Sequence, residues 1–214
     1  MTPEVLFQDK HLLVLNKPPG MPVQPDPTGD DALLDWANQH ANKTMHLAHR
    51  IDRPVSGVVL LAATAEAMTH LTDQFRQQLV DKVYLALVQA PPPAESGNLV
   101  HYIGKSKTGN KSILYPDAQP GAAKAELHYR VVSQTQRYWL LEIIPVSGRH
   151  HQIRAQLAAM GCPIRGDVKY GARRGNPDRS IQLHAWKIAF EHPLTGERLN
   201  ITAKLPDLPI WQVS

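Results

Sequence analysis

One stretch of fourteen residues constrains this chain more than any other. His49-Arg50-Ile51-Asp52-Arg53-Pro54-Val55-Ser56-Gly57 runs straight into Val58-Val59-Leu60-Leu61-Ala62. The apolar run reads as a buried strand, a rigid support. The proline and glycine ahead of it mark a turn able to project side chains. Asp52 stands there between Arg50 and Arg53, and both cations favour its charged form. A positioned carboxylate among cations suits nucleophilic chemistry on an anionic substrate. By residue type alone, the same cluster also fits a surface ion-pair network at a strand entrance.

The flanking sequence supplies mostly strands. Val5–Gln8 and His11–Asn16 predict a hairpin. Asn16-Lys17-Pro18-Pro19-Gly20 ends it in a stiff turn. Lys17 opens that turn, either to meet a phosphate or as a solvated turn lysine. Asp30 or Asp31 is placed to cap a helix through Leu33, Trp36 and Ala37, with Trp36 in the core. Thr64 caps a second helix from Ala65 to about Gln78, packing through Ala67, Leu71 and Phe75 and leaving Gln74 on its polar surface. Lys82–Val88 is a strand in which Tyr84, taken by itself, reads as a core or half-buried face residue.

Further strands are expected at Asn98–Gly104 and Ser112–Tyr115, around a basic loop with Lys105, Lys107 and Lys111. Ala125–Ser133 and Tyr138–Pro145 alternate as a hairpin. Ser147-Gly148 opens a short basic helix that Gly161 closes. On it Ile153, Leu157 and Met160 face inward, and His151 and Arg154 share a face. Arg165 to Arg179 reads as a mobile, basic, phosphate-contacting loop. Ile181–Phe190 and Leu199–Ala203 are the last strands. Strands joined by hairpins and outnumbering helices predict α+β: a mixed, largely antiparallel sheet with flanking helices and loops. With no internal linker or repeat, residues 1–214 are expected to form a single domain.

Net charge of +4 favours a polyanionic partner. The single cysteine, Cys162, excludes an internal disulfide and fits a reducing compartment. Met1-Thr2-Pro3-Glu4 lacks a secretory leader's pattern, and no apolar run approaches a membrane span. A cytoplasmic, monomeric protein without a membrane partner is expected.

His-Arg-Ile-Asp-Arg-x-x-Ser-Gly followed by four apolar residues closely resembles the signature of the RluA-type RNA pseudouridine synthases, which isomerise uridine in ribosomal or transfer RNA. Three other places carry the resemblance: the Asn16–Gly20 turn, the Lys82-x-Tyr84 element 32 residues beyond Asp52, and the block Ser147-Gly148-Arg149-His150-His151-Gln152-Ile153-Arg154. One departure is His150, where Thr or Ser is usual. The resemblance spans about residues 4–205 and implies a pseudouridine synthase catalytic domain without the small S4-like RNA-binding domain that often precedes it.

It also implies roles. Asp52 is the catalytic carboxylate, Arg154 pairs with it, and Tyr84 is the active-site tyrosine. Leu183, in Leu183-His184-Ala185, lies against the target base. Arg50 fills the space the flipped base leaves. Arg149, His151 and Lys17 join the substrate-binding set. Base exchange at a sugar carbon requires no redox change, so no cofactor and no metal is expected.

Two rival classes are answerable from the sequence. A metal-dependent hydrolase would draw on His46, His49, His150 and His151, but no His-Glu-x-x-His or paired-cysteine pattern accompanies them. A non-catalytic RNA-binding module would make Asp52 dispensable, and the RNP-type aromatic motif is missing.

Overall fold

The structure, a computed structural model, describes residues 2–106, 110–207 and 211. Along the chain these form β1 (Glu4–Gln8), β2 (Leu12–Lys17), α1 (Leu33–Ala41), β3 (His46–Leu47), β4 (Ser56–Ala62) and α2 (Ala65–Arg76). Then come β5 (Asp81–Val88), β6 (Ser96–Lys105), β7 (Ser112–Tyr115), β8 (Ala123–Gln134) and β9 (Trp139–Pro145). Last are α3 (Gln152–Ala159), a 3-10 turn at Val168–Tyr170, β10 (Leu183–Glu191) and β11 (Arg198–Thr202). The chain gathers into two compact units: residues up to Lys82 with His184–Pro206, and Val83–Leu183 with Asp207 and Trp211.

In the first unit, β4 pairs antiparallel with β2 and β3 and parallel with β10, and β10 pairs antiparallel with β11. Every residue of β4 is buried. Val58, Leu60 and Ala62 pack with Ala67 and Leu71 of α2 and with Leu12, Val14, Ile188 and Phe190. Val59 and Leu61, on the opposite face, are buried too. The continuous apolar run thus reflects a strand covered on both sides.

The second unit is an antiparallel sheet in the order β5-β9-β8-β6-β7. The alternation in β8 and β9 buries Leu127, Tyr129, Leu141 and Ile143. The expected mixed, largely antiparallel α+β architecture is therefore present. No helix among the described residues is long and apolar enough to cross a membrane.

Several local expectations are corrected. α1 begins after Ala32 with no side-chain cap, because Asp30 is engaged by the Arg53 guanidinium instead. Trp36 is half-buried and stacks on His40, with ring centroids 4.8 Å apart. Gln74 is buried: its amide donates to the Glu191 carbonyl at 2.8 Å and accepts the Glu191 N–H at 2.9 Å. Thr64 does cap α2, accepting the Ala67 N–H. α3 starts at Gln152, not at Ser147-Gly148. Gln152 Oε1 takes both the Arg149 N–H and the Ser147 hydroxyl, and its amide donates to the Glu126 carbonyl. Those bonds hold residues 147–149 as a loop. Lys107 of the expected basic loop lies outside the described residues.

Candidate active site

Asp52 is half-buried on the turn ahead of β4, and the Val55 N–H closes the turn on the Asp52 carbonyl at 3.0 Å. The strand beyond is fixed by close approach. Ser56 and Gly57 pair in parallel with His184 and Ala185, and Ser56 Oγ lies 2.8 Å from His184 Nδ1. Gly57 has φ +113°, and a Cβ there would sit 2.2 Å from the Ala185 carbonyl oxygen. Only glycine satisfies both the backbone angle and that approach. Burial pushes His184 down to about 4 and His49 down to about 3, so both rings are neutral structural groups at neutral pH. His49 Nε2 accepts the Leu60 N–H at 3.1 Å.

Lys17 is opposite Gly57 in the β2–β4 ladder and has no exposed surface. Its Nζ donates to the carbonyls of Pro18, Met21 and Arg53 at 2.9, 2.8 and 3.1 Å. In place of the expected phosphate contact or solvated turn lysine, all three donors of the ammonium are used inside the protein. Burial pulls the Lys17 ammonium down to about 7; the Asp52 carboxylate pulls it up, and Arg53 adds to the lowering. Three carbonyl acceptors match an ammonium's three donors, whereas a neutral amine has two, so the cradle favours the charged form. Lys17 thus places a positive charge within the field of Asp52 while lacing the Pro18–Met21 turn to the residue after it.

The two arginines flanking Asp52 differ. Arg50 is exposed, its Nη1 reaching Gln24 Oε1 at 3.4 Å. Arg53 is not arranged as a partner for Asp52. Its Nε donates to the Gly20 carbonyl at 2.9 Å, and its two Nη groups go to Asp26, Thr28 and Asp30. It is a tie for the 20–30 loop.

In the second unit, His151 and Arg154 are brought together around two residues of the 165–179 segment, Asp167 and Tyr170. Arg154 is buried and binds Asp167 through two parallel bonds, Nε to Oδ2 at 2.7 Å and Nη2 to Oδ1 at 2.8 Å. Its guanidinium also lies 5.0 Å from the Tyr170 ring centroid. The Tyr170 hydroxyl accepts the Ser112 N–H at 2.8 Å and is 2.9 Å from His151 Nδ1. Burial raises the Tyr170 pKa, with the Ser112 bonds opposing, so the phenol stays protonated. His151 takes a left-handed backbone, φ +52°, at the start of α3. Such a conformation in a non-glycine residue is held by its surroundings, here Tyr170 below and the His150 ring stacked 3.7 Å away.

Arg149 is exposed at the same helix start, its Nε on the Lys124 carbonyl at 3.1 Å. Tyr84 is half-buried in β5, opposite Ile143 of β9. Leu183 is buried as the first residue of β10. The 165–179 loop is not free: Asp167 and Tyr170 are buried, and Asn176 Nδ2 donates to Ser180 and Gln182. Its Arg173, Arg174 and Arg179 are exposed. The signal that could have singled out Asp167 is modest: it is one of two acids in a stretch with five cations.

Residues 11–159 match the family described as RNA pseudouridylate synthase. The chain is 32% identical over 210 residues to the ribosomal large subunit pseudouridine synthase C of Rickettsia bellii, covering 96% of this chain and 69% of that protein. It is 33% identical over 213 residues to the protein of the same name from Vibrio cholerae, covering 94% and 65%. Among solved structures, human RNA pseudouridylate synthase domain containing 4 matches with a TM-score of 0.77 at 29% identity, over 95% of this chain and 88% of that one. Human RNA pseudouridylate synthase domain containing 1 matches with a TM-score of 0.81 at 22% identity, over 98% and 86%, a likeness of fold. This chain belongs to the RNA pseudouridylate synthase family, as an RluA-type RNA pseudouridine synthase.

Proposed function

We propose that this enzyme isomerises one or more uridines of ribosomal RNA, with Asp52 as the catalytic carboxylate and the target base flipped out of its stack. The ribosomal assignment follows the names of the relatives in Rickettsia and Vibrio; transfer RNA is the other substrate the motif resemblance admits. The observation that carries the catalytic assignment is the mounting of Asp52: a half-buried carboxylate on a turn fixed by Gly57, beside a fully buried lysine.

In the reaction the bond from the sugar carbon to the base nitrogen breaks. The base turns, and a bond from the same carbon to C5 replaces it; C5 loses its proton and the released nitrogen gains one, so the product is an isomer of the substrate. Asp52 enters by attack on the sugar or base, or by removing a sugar proton. The motifs assign Arg154 to hold the charge and direction of Asp52, Tyr84 to stack on the base and aid proton movement, and Leu183 to give it an apolar wall. Arg149 and His151 serve RNA binding. Exposed Arg50 occupies the gap the base leaves; unstacking a base requires a few kcal/mol, recovered by contacts in the pocket. A stem-loop bound by a monomer, with residues 1–214 as one catalytic domain, completes the reading.

Pseudouridine mapping across ribosomal and transfer RNA from a strain lacking the gene tests it. A position should lose its modification and regain it with the wild-type gene but not with Asp52→Asn. Restoration by Asp52→Asn, after excluding deamidation, overturns the catalytic role. A lost position confined to transfer RNA overturns the ribosomal one.

A further inference from the structure

At the edge of the second unit's sheet, β7 pairs with β6 alone among the described residues. An open groove of about 750 Å³ lies along this edge, within the range of about 300–1,000 Å³ typical of small-ligand sites. Its apolar side is made by Ile103, Ile113 and Tyr115, and Lys105 and Arg149 stand on its rim with His150. No acidic side chain is among its lining residues.

The groove is held by defined contacts. A Cβ at Gly104 would come within 3.2 Å of the Tyr115 ring, so the missing side chain lets that ring lie against β6. Ser112 Oγ donates to the His150 carbonyl at 2.6 Å, and the Ser112 N–H goes to Tyr170. The lining is thereby joined to the frame that holds Arg154.

We propose that this groove binds an unstacked nucleotide of the RNA substrate, its base on Tyr115 and Ile113 and its phosphate between Lys105 and Arg149. The inference rests on RNA being the substrate. An aromatic face with cations at its edge and no carboxylate suits a base with its phosphate: stacking is indifferent to sequence, and two cations meet one anion. An acidic peptide strand added to β7 would use the same cations but would not require the Tyr115 face.

The test uses a ribosomal RNA transcript carrying 4-thiouridine, cross-linked by light to the wild-type protein, with cross-linked peptides identified by mass spectrometry. The same transcript, unsubstituted, serves for kinetics. Tyr115 should cross-link. Tyr115→Ala should raise KM about tenfold with kcat little changed, and Tyr115→Phe should restore KM. Gly104→Val, which pushes on the ring, should act like Tyr115→Ala. Arg149→Ala and Lys105→Ala should each reduce the salt slope of binding by about one. Melting curves confirm that the variants are folded. An unchanged KM in folded Tyr115→Ala, or cross-links that all fall elsewhere, overturns the groove. Absence of wild-type turnover on the transcript would count against the ribosomal substrate alone, because cross-linking still decides the groove.

Discussion

Around Asp52 the restraints are mainly backbone groups: Lys17 holds three carbonyls, Gly57 presses against the Ala185 main chain, and the Val55 N–H closes the turn. Around Arg154 they are mainly side chains drawn from distant sequence: Asp167, Tyr170 and, through Tyr170, Ser112. The first arrangement is specified by a local motif and breaks when a backbone approach is blocked. The second is specified by partners and breaks when a buried charge loses its bidentate partner. Substitutions of each kind should therefore fail differently.

The largest effect is expected at Gly57. Alanine there places a Cβ 2.2 Å from the Ala185 oxygen at φ +113°. The loss should exceed about 3 kcal/mol, beyond ordinary overpacking, since the obstacle is main chain that cannot rotate away. Denaturant melts check this; Gly57→Ala melting near wild type would remove close approach as a restraint.

Next comes Asp167→Ala, which leaves the Arg154 guanidinium buried without its bidentate partner. Leaving a buried charge wholly uncompensated costs about 3–5 kcal/mol. The loss here should lie at or below the low end of that range, because the guanidinium keeps its place over the Tyr170 ring. Asp167→Asn keeps the shape and one acceptor and should lose less. Replacing both, Arg154→Met with Asp167→Leu, should recover part of the stability while activity stays lost. If the double variant lost the full sum of the single effects, the two residues would not be coupled and the side-chain account would fail.

This contrast also explains what the sequence made legible. The apolar run of β4, the β8–β9 alternation and the Thr64 cap follow from short-range periodicity and local hydrogen bonding, so they could be read directly. The Asp52 and Arg154 blocks were legible as motifs. The partners of their flanking cations were not. Arg53 is next to Asp52 in sequence yet binds Asp26, Thr28 and Asp30, and Lys17 looked like a surface turn residue because nothing local reveals three converging carbonyls. Asp167 and Tyr170 become important only when the chain has folded back on α3. Gln74, on the apparent polar face of α2, is buried because its amide meets the main chain at the C-terminal end of β10.

A smaller, pH-dependent effect distinguishes the first unit. Burial lowers His49 to about 3, while an unfolded histidine titrates near about 6.5. Between those values the unfolded chain binds more protons, so stability is full above pH 6.5 and declines as pH falls. The contribution should reach about 2 kcal/mol by pH 5. His49→Gln offers an amide oxygen to the Leu60 N–H without titrating. Urea melts from pH 7 to 5 should show a flatter decline in that variant, with the remaining slope including His184. An unchanged slope would mean His49 is not a neutral acceptor in the folded protein.

The smallest stability effect should come from Arg53→Gln, although the Arg53 side chain ties four residues of the 20–30 loop. Its side chain is 37% exposed, and exposed ion pairs contribute about 0–1 kcal/mol. The backbone bond from the Gly20 N–H to the Arg53 carbonyl remains in the variant, as does the Lys17 hold on that carbonyl. What disappears is the fork that gathers Gly20, Asp26, Thr28 and Asp30, and lysine cannot rebuild it because a point charge lacks the planar set of donors. Global melting should therefore shift little, while amide exchange across residues 22–30 speeds up and turnover falls only a few-fold. A stability loss as large as that of Asp167→Ala would show that the loop is part of the restraint on Asp52, and the division between backbone-held and side-chain-held sites would have to be redrawn.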